Sequence, residues 1–68
     1  MTRHDAARLV RNDLVRVVKK PYLYSDVEVG EVFTVVEVWQ LRDGSVQVIG
    51  KRKSETGFCF LSSEVEKA

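Results

Sequence analysis

Between Glu31 and Trp39 the chain sets four valines, a phenylalanine, a threonine and a tryptophan into nine residues. β-Branched and aromatic side chains pack well on a pleated surface, and no Gly or Pro interrupts the run, so it predicts one long β-strand. Alternation places Val32, Thr34, Val36 and Val38 on one face, with Phe33, Val35 and Trp39 on the other. Both faces are partly apolar, the pattern of a bent strand that serves two sides of a small barrel.

The rest of the chain supplies partners for it. Leu14 to Val18 reads as a first strand, ended by Lys19-Lys20-Pro21 because Pro21 cannot donate to a ladder. Tyr22 to Val29 makes a longer loop closed by Gly30. The Asp43-Gly44 pair suits a two-residue primed turn and predicts an antiparallel hairpin into Val46-Gln47-Val48-Ile49. Gly50 to Gly57 reads as a polar loop, Phe58 to Leu61 as the next strand, and Ser62-Ser63-Glu64 as a single helical turn before Val65 and Glu66. Five short strands at this spacing predict an all-β chain closed into a small barrel. Ahead of them, Thr2 and Asp5 resemble a capping box, and Ala6, Leu9 and Val10 share one face of a short helix that Asn12 ends in a left-handed conformation. The expected organisation is an N-terminal arm over residues 1–12, helical or flexible, and a barrel over 13–68.

At 68 residues and 7.8 kDa, the chain buries only about 60% of its unfolded surface, which leaves little wall for a catalytic cleft. No nucleophile motif, carboxylate pair at a defined spacing or phosphate-binding glycine loop is present. The expectation is therefore no enzyme, no cofactor and no metal. His4 has no second ligand near it, and Cys59, between two phenylalanines, reads as core. No apolar run approaches the roughly 20 residues of a membrane helix, the polar start is not a signal peptide, and one cysteine suits a reducing cytoplasm. The net charge of +1 is unevenly placed: residues 1–20 carry six cations against two acids, and residues 21–50 carry five acids against one cation.

The run Val29-Gly30-Glu31-Val32-Phe33-Thr34-Val35-Val36-Glu37-Val38, the hairpin, and Thr56-Gly57-Phe58-Cys59-Phe60-Leu61-Ser62-Ser63-Glu64-Val65-Glu66 together resemble the SH3-like barrel. In that family a glycine opens the second strand, and a Gly-aromatic strand leads through one tight helical turn into the last. The resemblance spans roughly residues 13 to 66 and implies an SH3-like barrel with a short N-terminal arm. Peptide-binding members carry a Pro and a Tyr near the final turn, where this chain has Leu61 and Glu64. They also carry paired tryptophans after the second strand, where only Trp39 stands, at that strand's end. The closer likeness is to bacterial and phage barrels, which act as adaptors, inhibitors or nucleic-acid-associated modules.

Three functions follow as expectations. The first is a protein-interaction module of the phage or mobile-element kind, using Tyr22, Tyr24 and Trp39 with Asp26, Glu28 and Glu37, because stiff aromatics with a polar handle dominate binding surfaces. The second is nucleic-acid binding through Lys51, Arg52 and Lys53, joined by Lys19, Lys20, Arg3, Arg8 and Arg11. The third is a homo-oligomer whose copies enclose a small anionic ligand.

Overall fold

In the computed structural model, which describes all 68 residues, Thr2 opens the only α-helix. Its hydroxyl accepts the Asp5 N–H at 3.1 Å, the predicted cap, but α1 (Arg3–Ala6) lasts a single turn. Asn12 does take the left-handed conformation (φ 78°), five residues beyond the helix end at Ala7. The arm is nonetheless held against the sheet. Ala6 and Leu9 belong to the buried core, and the Asn12 N–H donates to the Val35 carbonyl at 2.8 Å.

Five antiparallel strands follow: β1 (Leu14–Val17), β2 (Val32–Gln40), β3 (Val46–Arg52), β4 (Glu55–Leu61) and β5 (Val65–Lys67). They form one sheet in the order β4-β3-β2-β1-β5, and the 3-10 turn Ser62–Glu64 joins its two outer strands. The chain is all-β, as expected, but the ladder is not closed: β4 and β5 do not pair. The inner face carries Val15, Val17, Phe33, Val35, Val46, Val48, Phe58, Phe60 and Val65, covered by Ala6, Leu9 and Val27. Phe33 lies at its centre, its ring centroid 5.0 Å from Phe58 and 4.8 Å from Phe60.

Two bulges bend the sheet. Val36 is an extra residue between the pairs Val35–Gly50 and Glu37–Ile49, and Gly57 is extra between Gly50–Phe58 and Lys51–Thr56. Gly50 sits on the bend line between them. A Cβ there would lie 3.2 Å from the Phe33 Cβ, tighter than ordinary van der Waals contact, so glycine lets β3 pass the central ring without displacing it. The Val36 bulge also shifts the side-chain phase of β2. Val38 turns inward against the core and Trp39 turns outward, opposite to the simple alternation that grouped Trp39 with Phe33 and Val35.

Both hairpin connections differ from their sequence expectation. The β2–β3 turn has a positive φ only at Gly44 (87°), with Gly44 N–H donating to Leu41 O and Leu41 N–H to Ser45 O. That is a three-residue connection with a left-handed glycine, not a two-residue primed turn. The polar stretch 50–57 is mostly strand, and Lys53-Ser54 alone turn the corner, with Lys53 at φ 56°.

Candidate protein-binding surface

Cross-strand register assembles the outward facet of β2, β3 and β4. Trp39 lies opposite Gln47, and Gln47 opposite Leu61, so the three side chains form one row across three strands. The next row is Glu37, Ile49 and Cys59. Residues directly opposite share a face, so these six side chains form one surface turned away from the core. Trp39 is 52% exposed and Leu61 49%, a large apolar pair on either side of an amide. At the middle, the Cys59 thiol donates to Gln47 Oε1 at 3.4 Å. Cys59 is half-buried on this outer facet rather than in the core; burial pushes its thiol pKa up, and the nearby Glu64 carboxylate adds to the rise.

The 22–24 segment borders the facet along the free edge of β4. Glu64 is 6% exposed, and its carboxylate accepts the Leu61 N–H at 2.8 Å and the Tyr22 N–H at 3.4 Å. One buried side chain thus ties the end of β4 to the loop. Tyr24 completes the join: its hydroxyl accepts the Cys59 N–H at 2.8 Å, and its ring meets Phe58 edge-on at 5.1 Å. Tyr22 (95% exposed) and Leu23 (66%) project from backbone anchored beside Leu61.

The predicted site residues therefore separate. Trp39, Glu37 and Tyr22 lie at accessible positions on or beside the facet. Tyr24 packs on the core phenylalanines and caps a strand edge. Asp26 and Glu28 are taken up in ion pairs, Asp26 with Arg52 at 3.0 Å and Glu28 with Lys20 at 2.9 Å. Gln47, Ile49 and Leu61 are not among the predicted site residues, because each gains its place on the facet from a strand opposite it.

The basic run 51–53 also divides, since it lies on strand and turn rather than in a loop. Lys51 faces outward between Thr34 and Thr56, and Lys53 forms the corner. Arg52 turns the other way, over the rings of Phe58 (4.9 Å) and Phe33 (5.7 Å), and bonds Glu31 at 2.9 Å, Asp26 at 3.0 Å and Glu55 at 3.4 Å. Hydrogen bonds from this guanidinium hold the Asp26 and Glu31 carboxyls below their ordinary range, and its own pKa is raised in return. Arg8 lines an open cleft with Met1, Asp5, Leu9, Glu66 and Lys67, and Arg3 rests over the Gly44 turn. Arg11 and Lys19 are exposed, and only Lys20 and Arg52 among the basic residues form ion pairs. No helix is long and apolar enough to cross a membrane. No protein-family model, curated protein or solved structure matches the chain.

Proposed function

We propose that the chain is a small, cytoplasmic, non-enzymatic binding module of SH3-like type that engages protein through the outward facet of β2, β3 and β4. The observation that carries this reading is the Trp39–Gln47–Leu61 row, which leaves a tryptophan half exposed on a regular sheet face. A solvated antiparallel face is ordinarily polar, and tryptophan is the residue most enriched at binding hot spots. The strand order and the single 3-10 turn before the last strand support the SH3-like assignment, and the size supports an adaptor or inhibitor of the kind found among phage barrels.

Replacing Trp39 by Ala should leave the fold intact, because the side chain does not enter the core, and should abolish capture of protein partners by immobilised chain from extracts of its native host. Undiminished capture by folded Trp39→Ala would overturn the reading. A nucleic-acid role draws on a different observation, the nine basic residues left without an ion pair out of eleven. It predicts an affinity for single-stranded oligonucleotide that falls steeply with salt, and no such binding at low salt would remove it.

A further inference from the structure

Resting on the protein-binding reading of this facet, we infer that its occupant is a second copy of the same chain, docked face to face about a two-fold axis that runs along β3 over Gln47.

The argument comes from the register. Trp39 and Leu61 lie one strand to either side of Gln47 in the same row, and Glu37 and Cys59 flank Ile49 in the next. A two-fold axis along β3 exchanges the two sides of the facet. It lays Trp39 of each copy on Leu61 of the other, Gln47 on Gln47 and Ile49 on Ile49. An isologous interface requires this kind of self-complementarity, in which each contact occurs twice. The amide is also self-complementary, since Gln47 Oε1 accepts from the Cys59 thiol and its NH2 makes no hydrogen bond within the chain. Two such amides meeting on the axis can donate to each other. Glu37, the only charge among the six, then lies opposite Cys59 of the second copy, at an outer corner of the patch.

The two-fold that lies across the strands instead fits poorly. It would press Glu37 of each copy onto Trp39 of the other and Gln47 onto Ile49, leaving a carboxylate against an aromatic face and an amide against an aliphatic one.

The facet is bounded as well as patterned. The bulges at Val36 and Gly57 bend the sheet at Gly50, so Lys51, which would otherwise face its own copy on the axis, lies beyond the bend. At half exposure, Trp39 and Leu61, with the four side chains between and beside them and the bordering Tyr22 and Leu23, offer on the order of 500 Å² per copy. Two copies bury about 1,000 Å² in all, the size class of weak, reversible association. An axis along β3 sets the two β3 strands parallel, within the roughly 30° range of strand directions that aligned sheet-on-sheet packing spans.

The test is sedimentation equilibrium of the full chain from micromolar to millimolar concentration, beside Trp39→Lys, Leu61→Glu and their equimolar mixture. Wild type should pass from monomer to dimer across this range. Each variant alone should remain monomeric with an unchanged circular dichroism spectrum. The mixture should recover a heterodimer, because one interface half then pairs lysine with glutamate and the other pairs native Trp39 with native Leu61. A wild type that stays monomeric at millimolar concentration overturns the proposal, and so does a mixture that stays monomeric while wild type dimerises. Should wild type be monomeric yet lose a host protein partner on Trp39→Ala, self-association falls and the binding-module reading stands. Full retention of partners by Trp39→Ala, with a wild type that also stays monomeric, sinks both.

Discussion

Glu64 and Tyr24 each do with a side chain what a neighbouring strand does with its backbone. The outward N–H groups of Cys59 and Leu61 on the free edge of β4 are satisfied by the Tyr24 hydroxyl and the Glu64 carboxylate. Removing only the hydroxyl, with Tyr24→Phe, keeps the ring contacts with Phe58 and Phe60 and leaves the Cys59 N–H without its partner. Unfolding by urea should show a loss of about 1–2 kcal/mol, the ordinary consequence of orphaning a partly buried donor. A loss within error would mean that water takes the place of the hydroxyl. Arg52 is the second residue with many duties, touching three carboxylates and two rings. Because the folded Asp26 and Glu31 carboxyls titrate below their unfolded values, their contribution is complete above the unfolded pKa near pH ~4 and is lost as pH falls through the folded values. In Arg52→Met the sign should reverse: three unpaired carboxylates repel, and acidification from pH 6 to pH 3 should raise the thermal midpoint, whereas the native midpoint should hold to about pH 4 and fall below it. A parallel fall in both proteins would show that other groups govern the acid response.

At the level of elements, the decisive feature is the bend line through Gly50. Gly50→Ala places a methyl 3.2 Å from the Phe33 Cβ, so the central residue of the core must give by a few tenths of an ångström. Overpacking of that kind should destabilise by about 1–3 kcal/mol in denaturant titration. No loss would mean that the strands slide apart freely at this point. The bend also explains what the sequence disclosed and what it concealed. Local signals were legible: the Thr2 cap, the left-handed Asn12, the long β2 strand and the single turn at Ser62–Glu64 each follow from residues a few positions apart. The outward turn of Trp39 depends on a bulge at Val36, and nothing in a run of valines marks which of them is the extra residue. Gln47 and Leu61 join Trp39 only through strand pairing. Glu64 reads as a surface acid until the fold brings Leu61 and Tyr22 to the same carboxylate. The basic run at 51–53 reads as a loop because glycines bracket it, yet those glycines serve a bend and a bulge within strands.

Over the whole molecule, charge is segregated by pairing rather than by sum. Lys20 and Arg52 together engage Asp26, Glu28, Glu31 and Glu55, so two cations take up four acids. The remaining nine cations outnumber the remaining acids, although the chain as a whole is only +1. Raising salt should then leave stability nearly unchanged, since the central ion pairs are supported by ring stacking and hydrogen bonds, while any association with polyanions weakens. A large salt-induced loss of stability would show that long-range charge, not the Arg52 contacts, secures the loop. The side-chain caps on β4 have a last consequence, which concerns how the chain survives crowding with its own kind. Open strand edges are the seeds from which fibrils grow, and here one such edge is shielded by a tyrosine and a glutamate, while at the other β5 offers only three residues. Sequence drift at Tyr24 or Glu64 would therefore register first as shortened shelf life in concentrated solution, well before any binding was lost.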